Sequence, residues 1–279
     1  MANDFHNTTT NAVIIPEKWS ARFFKVLLAT LPFNDSIDRN YEGEIQSMGD
    51  IVNISTMPEF DTAGLLSEGA AGDTEAVTLT GQQLTINSRA YKDVMVTRTA
   101  QLQSLSFMDE LQDKMIFAIN KKIHADIISA IVPSASTPDH QISYDSGTTL
   151  ALADILEVKE LLDTQNVPME DRVAVLGAAQ LNDVFNITAY TSKDFVPAGS
   201  PLSEGLFRFP LAGFKIKWTT LVGNTSYWFH PSFLTMAIQD QLSVKMYDAG
   251  VDGVRAQRIN ADVLYGIKQL DNTRVATLS

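Results

Sequence analysis

Residues 107–133 read FMDELQDKMIFAINKKIHADIISAIVP and hold a long, regular apolar pattern. The apolar residues follow in steps of three and four, the spacing that places side chains on one face of an α-helix. Ser106 and Asp109 match a capping box, and Pro133 ends the pattern. At 1.5 Å per residue, roughly 25 residues give a helix of about 37 Å. The sequence therefore predicts a long spine helix with an apolar core stripe of Met108, Leu111, Met115, Ile119, Ile123 and Ile127.

The segment before this helix is acidic and contains two strand patterns. From Asn40 to Ser88 the chain has no Lys or Arg, whereas it has eight acidic residues: Glu42, Glu44, Asp50, Glu59, Asp61, Glu68, Asp73 and Glu75. Apolar and polar residues alternate at 51–55, at 84–86 and again at 94–96. The residues between 59 and 75 are too poor in apolar area to order themselves. This predicts a long two-stranded hairpin with a soft tip, which lies either on a neighbouring molecule or, as a lid, on its own domain.

The chain after the spine helix alternates between helix and strand patterns. Helices are predicted at 152–162 and 178–185, and strands at 172–176, 214–218 and 227–229. Further strands are predicted at 233–239, 242–247, 261–266 and 274–278. No fixed-period repeat and no Pro- or Ser-rich linker separates these parts. The pattern indicates one α/β-like unit followed by returning strands.

The start of the chain predicts a mobile arm with an amphipathic helix. A polar stretch through Asn11 precedes Pro16, and the helix pattern that follows ends at Leu31 and Pro32. One face carries Trp19 among apolar residues, and the other carries Lys18, Arg22 and Lys25. This basic face either docks on an acidic partner or is simply solvated.

Composition excludes several classes of protein. The chain has 279 residues, 45% of them apolar, and a formal net charge of -12, which disfavours general DNA binding. It has no cysteine and hence no disulfide or thiolate metal site. No apolar run approaches the roughly 20 residues that span a bilayer, and no secretory signal is recognised. We therefore expect a soluble protein made in a cytoplasm.

A search for catalytic and cofactor motifs finds none. The phosphate-loop, dinucleotide-binding and nucleophile-elbow patterns are absent, and no two of the four histidines have metal-ligand spacing. For His124, beside the spine stripe, we expect a hydrogen-bonded structural role. Glu157 and Glu160 fall on a helix face with Lys159, which indicates a solvated surface rather than a carboxylate pair of a glycosidase. The sequence predicts no enzyme, no cofactor and no metal site.

Short phrases in a fixed order along nearly the whole chain carry a family resemblance. They are VIIPEKWS at 13–20, NYEGEI at 40–45, GDIV at 49–52, YKDV at 91–94, NVP at 166–168, RVAVL at 172–176, GFKI at 213–216 and AQRI at 256–259. With the order of arm, acidic hairpin, spine helix, α/β unit and returning strands, the chain resembles the major capsid (coat) proteins of tailed bacteriophages, which have the Hong Kong 97-like fold.

The resemblance implies an α+β fold with defined parts. These are an N-terminal arm (1–47), an extended β-hairpin loop (48–93), a peripheral domain with the spine helix (94–145), an axial domain (146–232) and a return to the peripheral domain (233–279). The implied subunit contacts are Lys18, Trp19, Arg22 and Lys25 in the arm, and Glu59, Asp61, Glu68, Asp73 and Glu75 in the extended loop.

The resemblance also implies what the protein does. Hexamers and pentamers of the chain would form an icosahedral shell, first a procapsid guided by scaffolding protein and portal, then an expanded head around double-stranded DNA. Such a protein resides in the virion and, during assembly, in the host cytoplasm. The acidic chain is expected to contact packaged DNA only weakly and no membrane, whereas the resemblance leaves open whether a decoration protein binds.

Two departures from the best-known family pattern refine these expectations. No lysine lies between Lys25 and Lys92, so the extended loop lacks the lysine for isopeptide cross-linking. Only about a dozen residues precede the arm helix pattern, so we expect a separate scaffolding protein. The alternatives are an encapsulin-type nanocompartment shell of the same fold and, in a different class, a soluble carboxylate-using hydrolase.

Overall fold

The computed structural model describes residues 29–42, 51–97, 107–191, 210–248 and 256–279, without residues 59, 61, 66, 70, 73, 146 and 148. Within these ranges, helices and strands follow one another in an α+β arrangement with three separate sheets. None of the helices in the described ranges has the length and apolarity needed to cross a membrane.

The spine helix α1 spans Phe107–Ala130 and packs on a three-stranded antiparallel sheet. The sheet has the order β3-β9-β8, formed by Ser88–Thr97, Ala256–Gln269 and Leu234–Asp248. Alternate residues of β9, among them Ile259, Val263 and Tyr265, point into the core shared with α1. The sheet therefore has an inner face, covered by the helix, and an outer face.

The acidic segment forms a two-stranded antiparallel hairpin. Strand β1, Ile51–Thr56, pairs with β2, Thr80–Thr85, from Ile51 opposite Thr85 to Thr56 opposite Thr80. Val52 and Ile54 are buried and alternate with exposed residues, as expected for a strand with one covered face. The hairpin is thus covered on one side close to its base.

A five-stranded mixed sheet forms the second half of the fold, in the order β4-β10-β7-β5-β6. Its strands are Gln141–Ile142, Val275–Leu278, Ser226–Phe229, Val173–Leu176 and Lys215–Trp218. Three helices accompany the sheet: α2 at Leu152–Thr164, α3 at Ala178–Asn186 and α4 at Thr188–Thr191.

The five-stranded sheet is covered on both faces. Val173, Val175 and Phe229 point into the core that contains α1, whereas Ala174, Leu176 and Trp228 point into a second core with α2 and α3. This explains why all four residues of β5 are buried and why their sequence is continuously apolar.

Two sequence-based assignments need correction. Residues 94–96 were expected on the return strand of the hairpin, but they belong to β3, which pairs with β9. The strands predicted at 233–239 and 242–247 are one strand, β8, because register shifts at Ile238/Asp240 and Asp240/Ser243 absorb the polar interruption without ending the pairing.

Candidate subunit-contact surfaces

The apolar stripe of the spine helix is the centre of the larger core. Met115, Ile119, Ile123 and Ile127 are buried, and Leu111 packs against the same cluster. The side chain of Met108 lies outside the described part of the chain. On the exposed side of the helix, Lys122 forms an ion pair with Asp126 at 2.5 Å between Nζ and Oδ1. The helix thus presents its stripe to its own subunit.

His124 lies in this core without the predicted hydrogen bonds. It is fully buried, yet neither ring nitrogen has a hydrogen-bond partner among the described residues. The prediction of a hydrogen-bonded role is therefore wrong within that part of the chain, because the ring packs against the apolar and aromatic core. Burial lowers the pKa of His124 to about 4.

The base of the hairpin packs on the outer face of the three-stranded sheet, on the opposite side from α1. Val52, Ile54, Leu84 and Ile86 form a cluster with Ala237 of β8, and Leu264 and Leu270 pack against it. Gln82 Nε2 donates a hydrogen bond to the carbonyl oxygen of Leu270 at 2.7 Å. The structure therefore brings the hairpin base onto its own subunit, as the lid alternative required, but this applies to the base only.

Beyond the base, the hairpin is exposed. Between the strands, the described residues lie in turns or without regular structure, and their apolar side chains include Met57, Phe60, Leu65, Val77 and Leu79, all exposed. Of the predicted loop contacts, Glu68 and Glu75 are exposed, and Glu59, Asp61 and Asp73 lie outside the described residues. Exposed apolar side chains concentrated on one projection are typical of a protein interface.

The predicted arm contacts Lys18, Trp19, Arg22 and Lys25 also lie outside the described residues. The following segment, residues 29–42, is attached to both halves of the fold. Thr30 Oγ1 donates to the carbonyl oxygen of Trp218 at 2.7 Å, at the end of the edge strand β6, and Lys217 Nζ donates to Ser36 Oγ at 2.7 Å. Met236 N of β8 donates to the carbonyl oxygen of Asp38 at 3.0 Å.

Phe33 anchors this segment in the main core, a role that sequence reasoning missed. Its ring lies 5.5 Å from the rings of both Tyr227 and Phe229, and its side chain is fully buried. The signal that could have found it is Pro32, which begins the 3-10 turn Pro32–Asp35 and fixes the backbone just before Phe33.

The outer face of the three-stranded sheet carries two cross-strand ion pairs beyond the hairpin base. Arg89 pairs with Asp262, and Arg258 pairs with Asp93. The hydrogen bond from Arg258 lowers the pKa of Asp93. Tyr91 and Met95 on β3 and Tyr247 on β8 are exposed on the same sheet. The outer face beyond the hairpin base therefore combines two ion pairs with exposed aromatic and apolar side chains.

Arg172 is a buried cation inside the α/β half. Its Nε donates to the carbonyl oxygen of Pro168 at 2.9 Å, and its Nη2 donates to that of Val167 at 2.6 Å. Its Nη2 also lies 2.7 Å from Oδ1 of Asp163, an ion pair at the end of α2. Burial alone would raise the pKa of Asp163, but Lys159 and Arg172 lower it overall. The network holds the loop between α2 and β5.

The described residues contain no arrangement that points to catalysis. No group of three or more His, Asp or Glu side chains in these ranges could hold a metal ion. Glu157 and Glu160 are exposed on α2. Two open surface grooves, of about 490 and 390 Å³, are lined by residues 149–152 with 183 and 186–188, and by residues 30–32, 35 and 216–218. Neither groove contains either of the two glutamates.

Comparisons with known proteins agree with this arrangement. A solved structure from Mycobacterium phage Che8 is 23% identical, with a TM-score of 0.74, and the match covers 95% of this chain and 97% of that chain. The capsid structure of cyanophage P-SCSP1u, 12% identical, has a TM-score of 0.76 over 100% of this chain and 96% of that chain. The capsid asymmetric unit of cyanophage Pam1, 13% identical, has a TM-score of 0.74 over 100% and 99%.

No curated protein matches the chain. The structural matches confirm the predicted α+β capsid fold, and the family model described as phage capsid protein matches residues 42–278. The matched family consists of structural proteins, and the match favours neither the nanocompartment shell nor the hydrolase as a function. The chain therefore belongs to the phage capsid protein family, and it is a major capsid protein that builds the virion shell.

Proposed function

We propose that copies of this chain assemble as hexamers and pentamers into the icosahedral head of a tailed phage. The shell forms first as a procapsid in the host cytoplasm and then expands as double-stranded DNA enters. The observation that carries the proposal is the hairpin, whose base is packed on its own sheet while the exposed apolar residues Met57, Phe60, Leu65, Val77 and Leu79 project beyond it.

Energetics support a role for this projection between subunits. Burying one large apolar side chain contributes about 1.5–3 kcal/mol, and the described tip residues bury little on their own chain. A neighbouring copy that covers them supplies this energy, and many such contacts stabilise a closed shell by mass action. The acidic residues Glu59, Asp61, Glu68, Asp73 and Glu75 and the arm residues Lys18, Trp19, Arg22 and Lys25 are proposed to take part in these contacts.

We propose the domain division stated above for this chain: arm 1–47, extended loop 48–93, spine part 94–145, axial domain 146–232 and return 233–279. The second core supports an axial unit, because most of its members lie between Tyr144 and Trp228. Strand β10 belongs to the returning segment in sequence and contributes to the five-stranded sheet of that unit.

The proposed partners are a separate scaffolding protein and a portal, and the chain has no proposed catalytic activity. Packaged DNA is expected to touch the shell weakly, because a net charge of -12 repels phosphate. Tight binding of DNA to empty shells at moderate salt would contradict this expectation.

Size-exclusion chromatography and electron microscopy of the full-length chain test the proposal. Produced with its scaffolding protein, the chain should elute as a particle and show closed icosahedral shells. A stable 30.7 kDa monomer with enzymatic turnover would refute the shell function. Abundant, correctly sized closed shells from the chain alone would argue against the separate scaffolding protein while leaving the shell function intact.

A further inference from the structure

The hairpin crosses its own sheet at an unusually close contact. A Cβ atom placed on Gly266 of β9 would lie 2.4 Å from the carbonyl oxygen of Thr85, 3.0 Å from its carbonyl carbon and 3.1 Å from the Cα of Ile86. All three atoms are backbone, so no side-chain rotation relieves the collision. Since ordinary contact begins at 3.4 Å, even an alanine at position 266 requires the hairpin base to move by about 1 Å.

The residue paired with Gly266 is also small. Gly266 is paired with Ala237 of β8, so the smallest and second-smallest residues lie side by side beneath the hairpin. Ala237 is fully buried in the cluster formed with the hairpin residues Val52, Ile54, Leu84 and Ile86. A glycine inside a strand often marks such a close backbone approach.

A second contact holds the hairpin three residues before Thr85, at Gln82 of β2. Gln82 Nε2 donates to the carbonyl oxygen of Leu270 at 2.7 Å, just beyond the end of β9. We call the contacts Gly266–Thr85 and Gln82–Leu270 the root seam. Two contacts at different points along β2 restrict rotation of the hairpin about either one.

We propose that the root seam, with Gly266 as its closest contact, sets the angle at which the hairpin leaves its subunit and so selects where its tip meets the next copy. The part about the next copy rests on the proposed shell function. The angle itself is a property of the single subunit. Two β-strands of six residues extend about 20 Å, so a small change at the seam becomes a larger displacement at the tip.

The angle can be measured by electron paramagnetic resonance. Because the chain has no cysteine, Thr56→Cys at the end of β1 and Met95→Cys on β3 provide the only two labelling sites. Both positions are exposed, one on the hairpin and one on the sheet. Labelled full-length chain is diluted into unlabelled chain, so that only distances within one subunit are recorded.

Gly266→Ala should shift the main distance between the two labels, with the thermal unfolding midpoint reported alongside. Gly81→Ala on the same hairpin is the matched control, because a Cβ atom at position 81 would have no other atom within 4 Å. An unchanged distance in folded Gly266→Ala protein would overturn the proposal.

A second pair of variants covers the outcome in which Gly266→Ala does not fold. Gln82→Ala removes one contact of the seam without adding atoms, and its neighbour Gln83→Ala, at an exposed position, serves as the control. The distance distribution should broaden for Gln82→Ala only. Equal distributions for the two variants would refute a role of the seam in holding the hairpin.

Shell assembly gives the last readout. With scaffolding protein, wild type and Gly81→Ala should form regular shells, whereas Gly266→Ala should lose them. If wild type itself forms no particle, the proposed shell function is refuted. The label distances then still show whether the root seam sets the angle of the hairpin. If Gly266→Ala shifts the label distance and still forms shells identical to wild type, the link between hairpin angle and neighbour contact is refuted.

Discussion

The ring of Phe33 stands edge-on to the ring of His124, with 5.2 Å between the ring centroids. Phe33 lies in the part of the N-terminal arm that the structure describes, residues 29–42, and His124 lies in the spine helix. The contact joins these two parts through an ionisable group that is fully buried. Protonation of the imidazole would place a charge in the apolar core without a hydrogen-bond acceptor among the described residues.

This contact predicts a loss of stability in mild acid. Burial lowers the pKa of His124 from 6.5 to about 4, so between these values protons bind the unfolded chain and not the folded one. The contribution of neutral, buried His124 to the free energy of unfolding is complete above pH 6.5 and is lost as the pH falls towards 4. Between pH 7 and pH 5 the free energy of unfolding should fall by about 2 kcal/mol from this residue, as measured by urea denaturation.

His124→Leu is the control for the acid effect. The variant places an apolar side chain in the core and removes the ionisable imidazole. Its free energy of unfolding should therefore change less between pH 7 and pH 5 than that of wild type. His230, whose pKa is also lowered, chiefly by burial, remains in both proteins and cancels in the comparison. Equal pH dependence in the two proteins would contradict the assignment to His124.

Replacing Arg172 should destabilise the α/β half strongly. Arg172→Leu leaves the carbonyl oxygens of Val167 and Pro168 without their donor and Asp163 without its buried partner. Each carbonyl oxygen left without its donor costs about 1–3 kcal/mol, and denaturant unfolding of the full chain would detect the loss. The expected result is a lower denaturant concentration at the unfolding midpoint, with an unchanged dependence of the free energy of unfolding on denaturant concentration.

Lys215→Ala provides the comparison for Arg172. Lys215 pairs with Asp171 at 2.5 Å, but both side chains are more than half exposed. Ion pairs between exposed side chains contribute little to stability because solvent screens them, so the variant should resemble wild type. Similar losses for Arg172→Leu and Lys215→Ala would show that burial of Arg172 has no special importance.

A charge at the hairpin tip should block assembly while leaving the subunit folded. Leu65 is fully exposed, so Leu65→Asp should alter the free energy of unfolding by no more than about 0.5 kcal/mol. Covered by another copy, the carboxylate would be desolvated, and particle yield in sedimentation should fall sharply. Leu65→Met keeps the apolar surface and should assemble. Normal shells from Leu65→Asp would place the contact elsewhere.

The shell should contain no covalent cross-links that involve a lysine of the extended loop. No lysine lies between Lys25 and Lys92, and Lys92 is on β3 of the three-stranded sheet, so the hairpin strands and tip offer no amine for an isopeptide bond. Particles boiled in detergent should run on a gel as a single band near 30.7 kDa. A ladder of covalent multimers under reducing conditions would contradict this prediction.

The long-period features of the fold could be predicted from the sequence. The stripe from Leu111 to Ile127 repeats over several turns, and the predicted helix agrees with Phe107–Ala130 to within a few residues. The alternation around Val52 and Ile54 likewise predicted β1 of the hairpin. Both patterns reflect burial of one face, which depends on local spacing and is therefore visible in the sequence.

Pairing and tertiary contact could not be predicted in the same way. Nothing in the local sequence distinguishes β3 as a partner of β9 from β3 as a partner of β1, since both are strands with alternating burial. The sequence showed Gly266 only as a glycine within a strand pattern. The residue that it contacts, Thr85, is distant in the sequence. The contact of His124 with Phe33 depends on two elements, the spine helix and the 3-10 turn Pro32–Asp35, that meet only in the folded chain.

The place of β10 constrains how the chain can fold. This strand pairs in parallel with β4 and in antiparallel with β7, and Val275, Ala276 and Leu278 are fully buried between the two cores. The strands on either side precede it by about 50 and 130 residues, so the ribosome must release residues 275–278 before the five-stranded sheet can close. Until these residues pair, β7 has an open edge, and the large sequence separation of the paired strands favours slow closure of the sheet.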